Sequence, residues 1–112
     1  MKEDRLEKYR HDLQYLREMA DQTVVDLERF GYEITFDPSS PVSFENYRIQ
    51  LEGRIASWCK TDPGRLPALL YHIDLPEHLL PPGYGCKNPA RLSELILQRE
   101  LIKVVLRKQF KS

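Results

Sequence analysis

All eight prolines of this chain (Pro38, Pro41, Pro63, Pro67, Pro76, Pro81, Pro82 and Pro89) fall between residues 38 and 89. Proline inside a helix removes a backbone donor and clashes with the preceding turn, so the middle of the chain must be built from short pieces. Both ends are open to long helices. At 112 residues the chain has the size of one domain, large enough to hold a core without metals or crosslinks.

From Leu6, the residues Tyr9, Leu13, Leu16, Ala20, Thr23, Leu27 and Phe30 follow one another at spacings of three and four, which is the seam of a helix. The spacing predicts a helix over residues 3–30, a rod of roughly 40 Å, stopped by Gly31 in the left-handed conformation. Tyr32, Ile34 and Phe36 then alternate with Glu33, Thr35 and Asp37, which predicts a short extended connector over 31–42. Ser43 is a natural N-cap for a helix over 43–60 with Phe44, Tyr47, Leu51, Ile55 and Trp58 on one face. Pro67 fits the first turn of a short helix over 65–73, and Asp74 reads as the N-cap of a further turn. Asn88 and Pro89 open the last helix, 89–110. Its apolar residues spread over most of the circumference, leaving a polar stripe of Arg99, Glu100, Lys103, Arg107 and Lys111. That pattern predicts the central strut of an all-α bundle of about four main helices, with Ile102 and Leu106 in the core.

Composition narrows the function classes. Seventeen Lys and Arg balance seventeen Asp and Glu, without the basic excess of a dedicated nucleic-acid binder. The longest stretch free of Asp, Glu, Lys and Arg runs only from His78 to Cys86, too short for a membrane span. Charges crowd the first twelve residues where a secretory signal would be apolar, so the expected location is cytoplasmic. Two cysteines far apart in sequence are then expected to be thiols.

Three features could carry chemistry. Cys59, His72, His78 and Cys86 are the residue types of a structural zinc site, but no pair has the close spacing that seats two ligands on one turn. Cys86, beside Lys87 in a glycine-rich loop, is the better candidate for a reactive thiol, and Cys59 beside Trp58 reads as packing. Arg99, Lys103, Arg107 and Lys111 recur every four residues and could neutralise phosphates, but the eight acids against six bases of residues 1–30 offer them a partner within the chain. Finally, the long seam, with Leu13 and Leu16, and the connector residues Tyr32, Ile34 and Phe36 offer an apolar surface for a second copy of the chain or for another protein.

The favoured reading is a non-enzymatic interaction or adaptor module, self-associating as a homodimer or binding another protein, with no cofactor. The alternatives are a nucleic-acid binder using the basic face of the last helix, and a small enzyme or metal site around His72, His78 and Cys86. The stretch from Leu66 to Glu77, together with that from Leu92 to Phe110, resembles a group of short, uncharacterised bacterial proteins that end in a tail like Arg99-Glu-Leu-Ile-Lys-Val-Val-Leu-Arg-Lys108. The resemblance implies a small helical cytoplasmic protein and carries no activity or site with it.

Overall fold

Asp12 interrupts what the seam predicts as one long helix. Its backbone is extended, and its carboxylate accepts the N–H groups of Gln14 and Tyr15, so a separate helix begins at Leu13, after the helical residues Leu6 and Glu7; the expected start at residue 3 lies outside the described residues. In the computed structural model, which describes residues 6–75, 80 and 85–110, a 3-10 turn (Lys8–His11) precedes this point. Helix α1 then runs over Leu13–Arg29, about 25 Å rather than the expected 40 Å. Helices α2 (Phe44–Thr61), α3 (Leu66–His72) and α4 (Pro89–Gln109) follow, with short 3-10 turns at Pro63–Arg65 and Gly85–Lys87. The all-α expectation holds, and the last three helices start and stop within a residue of their predicted ends.

Local chemistry sets these boundaries. Ser43 Oγ accepts the Asn46 N–H at 3.0 Å, and the Asn88 side chain accepts the Arg91 N–H at 3.1 Å. Gly31 ends α1 at a φ of 81°, where the Tyr32 N–H reaches back to Leu27 and the Gly31 N–H to Glu28. A Cβ at Gly31 would also collide with the Arg65 guanidinium. The further turn that Asp74 is expected to cap lies outside the described residues, and Asp74 itself closes α3. Its φ of 67° makes it the left-handed end of α3, with the Leu75 N–H bonded to Leu70 O and its own N–H to Tyr71 O.

Helix α4 packs along both α1 and α2. Its buried residues come in adjacent pairs four apart, Leu92 and Ser93, Ile96 and Leu97, Glu100 and Leu101, Val104 and Val105, one member of each pair suited to each neighbouring helix. The stripe is narrower than the sequence predicts. Ile102 is only partly buried, Leu106 is 39% exposed and Phe110 is 83% exposed, because α1 and α2 leave one side of α4 uncovered. Conversely Glu100, expected on the solvent stripe, is 1% exposed.

Cys59 and Cys86 form a disulfide, with Cα atoms 5.6 Å apart, that ties the end of α2 to the turn before α4. This overturns the expectation of two thiols. A separation of 27 residues gives no sequence sign of pairing, because only the packing of α2 against the start of α4 brings the two together. None of the described helices is long and apolar enough to cross a membrane.

Candidate functional site

The connector turns away from α1 and opens a groove. Over residues 32–37 burial alternates, with Tyr32 and Ile34 inside, Phe36 half-buried, and Glu33, Thr35 and Asp37 exposed, the period of an extended strand. Phe36 stands edge-on to Tyr47 with ring centroids 4.9 Å apart. Tyr32 is anchored more deeply, stacked on Trp58, its hydroxyl donating to Asp62 O at 2.7 Å and accepting the Arg65 N–H at 3.2 Å. Between this segment and α1 lies a cleft of about 540 Å³, walled by Arg17, Asp21, Val24 and Glu28 on one side and by Ile34, Phe36 and Tyr47 on the other.

The two edges of the extended segment differ. Along the α2 edge, Arg54 Nη2 donates to Glu33 O at 3.3 Å, and Gln50 Oε1 accepts the Asp37 N–H at 2.7 Å. The backbone groups of Ile34 and Phe36, which alternate to the opposite edge, make no hydrogen bond with a described residue. Ile34, Thr35, Phe36 and Asp37 all line the cleft.

A second cluster lies inside the bundle. Asp26 on α1 and Glu100 on α4 are 2% and 1% exposed. Lys103 Nζ donates to Asp26 Oδ2 at 2.8 Å and lies 3.2 Å from Glu100 Oε1 without hydrogen-bond geometry. Gln22 donates to Asp26 Oδ1 at 3.1 Å, and His72 Nε2 stands 3.7 Å from the same oxygen. Burial, together with the neighbouring Asp26, pushes Glu100 up to about 8. Burial also works to raise Asp26, but hydrogen bonds from Glu100 and Lys103 outweigh it and hold this carboxyl below its usual range. Burial and the adjacent Asp26 carboxyl thus favour the protonated form of Glu100 at neutral pH. Both side chains are sealed from solvent, so the cluster joins α1 to α4 and is not placed to meet a solute.

The sequence-predicted residues distribute as follows. Leu16, Tyr32 and Ile34 are buried within the single chain and Phe36 is half-buried, while Leu13 stays 51% exposed. The seam of α1 is thus covered by α4 of the same molecule, and the exposed apolar rod that suggested self-association is absent from the described surface. In the basic stripe, Arg99 binds Asp74 at 2.9 Å and the Ile73 carbonyl at 3.2 Å, and Lys103 belongs to the buried cluster. Arg107 donates to Gln22 at 2.9 Å and faces Glu18, which also pairs with Lys108 at 2.6 Å. Lys111 lies outside the described residues. Acids of α1 and the α3 terminus therefore neutralise much of this face. The disulfide removes Cys59 and Cys86 as free ligands or nucleophiles, His72 packs against Phe30 beside Asp26, and His78 lies outside the described residues. Among the described residues no three His, Cys, Asp or Glu side chains are grouped to hold a metal ion.

Sequence reasoning missed the acid pair because one turn of α4 carries Glu100 and Lys103 together. Nothing local says which of the two turns inward. Compared with protein-family models, with curated proteins and with solved structures, the chain matches none.

Proposed function

We propose that this chain is a non-enzymatic interaction module that binds another protein in the groove between α1 and the 32–37 segment. The observation that carries the reading is the cleft of about 540 Å³ between α1 and the 32–37 segment, lined by apolar residues and by the charged side chains of Arg17, Asp21, Glu28 and Asp37. The apolar patches formed by Val24, Phe36 and Tyr47 offer burial, and the charged rim of Arg17, Asp21 and Glu28 offers selectivity. The chemistry elsewhere fits a binding role better than catalysis, since the thiols are paired and the carboxyl pair is sealed.

The test is affinity capture from the native cell with the parent protein, with Asp21→Arg/Glu28→Arg, and with Tyr71→Ser as a control on the exposed face of α3. A partner retained by the parent and by Tyr71→Ser, but lost from the groove double variant, is the expected result. Capture that is indifferent to the groove substitutions, or no partner at all, overturns the reading.

A further inference from the structure

We infer that this groove recognises a cationic side chain, the arginine or lysine of a basic segment on the partner protein, with its alkyl stem on the apolar floor and its charged head among the carboxylates of the rim. The inference rests on the interaction reading above and names its ligand chemistry. Three observations converge on it.

The first is the pairing of the acids on α1, which are Glu18, Asp21, Asp26 and Glu28. Glu18 and Asp26, on the side that meets α4, pair with Lys108 and Lys103 at 2.6 and 2.8 Å. Asp21 and Glu28, exposed on the side that walls the cleft, form no ion pair with a described residue. The chain as a whole balances its charges, yet the cleft sets the carboxylates of Asp21, Glu28 and Asp37 against Arg17 alone. A cation brought by a partner meets an excess of negative charge here, and an acidic segment is repelled.

The second is the aromatic rings. Elsewhere in the fold, rings carry a cation from the same chain: Arg10 over Phe44 at 4.1 Å, Lys108 over Tyr15 at 5.1 Å and Arg54 over Trp58 at 5.5 Å. Phe36 and Tyr47 meet edge to face on the cleft wall, and no cation of a described residue stands over either ring. The π-face of such a ring attracts a guanidinium or an ammonium group.

The third is the floor. Asp21 and Glu28 lie two turns, about 10 Å, apart along α1, and Val24 stands between them on the same face. Val24 is half-buried, as are Phe36, Val42 and Tyr47 around it in the cleft. Lysine and arginine are the side chains that lay an alkyl stem along apolar surface and hold a charged head at its edge. A purely apolar side chain would use the floor alone, and a metal ion the rim alone.

The experiment is a titration of the full chain at low salt, followed at each backbone amide by NMR. The probe is acetyl-Ala-Arg-Ala-Arg-Ala-amide; the same peptide with citrulline, the uncharged near-isostere of arginine, and putrescine, a diamine of equal charge, serve as comparisons. The expected result is a saturable shift centred on Val24, Phe36 and Tyr47. Binding should weaken about threefold or more with citrulline and in Asp21→Asn/Glu28→Gln, whose positions are exposed, and about two- to fivefold in Tyr47→Leu. No saturable shift at those residues, equal binding of the citrulline peptide, or indifference to either variant would overturn the inference. Tighter binding of putrescine at the same residues would make a free polyamine the occupant, and shifts there on raising protein concentration without peptide would make it a second copy; either result overturns the inference too. A groove-dependent partner in the capture experiment with no arginine signal here sinks this inference alone, whereas failure of the capture experiment removes the interaction reading, and this inference with it.

Discussion

Glu100 and Asp26 show how much one buried carboxyl can change. Glu100 titrates near 4.5 when free and is raised to about 8 in the fold, so between those values the folded chain holds a proton that the unfolded chain has released. Its contribution to stability is complete below about pH 4.5, declines as pH rises, and is gone above about 8. The slope is at most about 1.4 kcal/mol per pH unit. Asp26, held low, works in the opposite sense: its contribution is present above its free value of 3.8 and is lost only as pH falls through its lowered folded value. Urea melts between pH 5 and pH 8.5 should therefore show the parent weakening as pH rises. Glu100→Gln keeps a donor for Asp26 and has no proton to lose, so it should flatten that decline. A parent whose stability rises across this window would show that Glu100 is ionised in the fold.

At the scale of elements, α4 is the informative case. Its apolar residues cover more of the helix than its neighbours do, so hydrophobicity alone misplaces Leu106, which is 39% exposed, while Leu101 is fully buried. Leu101→Asp should cost several kcal/mol, because it places an unpaired charge between helices, whereas Leu106→Asp should cost less than about 1 kcal/mol. Paired thermal melts decide it, and similar losses at both positions would mean that α4 is enclosed on all sides. The same competition between local and distant signals explains α1. The three-four seam runs straight through Asp12, yet that carboxylate satisfies two free N–H groups better as a cap than within a turn, and the helix starts after it.

For the whole molecule, the Cys59–Cys86 bond closes a loop of about 28 residues that includes α3. By loop-closure entropy such a bond is worth about 3–4 kcal/mol. Reduction should lower the melting temperature by roughly 10–20 °C in a domain of this size. Scans with and without reductant measure this, and Cys59→Ser/Cys86→Ser should reproduce the reduced value. An unchanged midpoint would show the bond to be dispensable. Ion pairs across the bundle, such as Lys108 with Glu18 and Arg99 with Asp74, are partly exposed and add little singly, but they join three separate elements.

What the sequence determined by itself was local. Ser43, Asn88 and Pro89 mark helix starts, Gly31 marks a stop, the prolines confine the short pieces to the middle, and the alternation of Tyr32, Ile34 and Phe36 marks the extended segment. Each signal acts through backbone groups within a few residues, so its outcome hardly depends on the rest of the fold. The tertiary structure decided which face each helix turns inward, and so put Glu100 against Asp26, left Leu106 in solvent, hid Leu16 and kept Leu13 exposed. It also joined Cys59 to Cys86 and met the basic residues of α4 with the acids of α1. The groove belongs to this second group. Periodicity predicted its extended wall, but only tertiary packing, with α2 side chains holding Glu33 and Asp37, set that wall across a cleft from α1. Partners that lie dozens of residues apart leave no trace in local spacing, because the free energy that pairs them arises only when the helices have met.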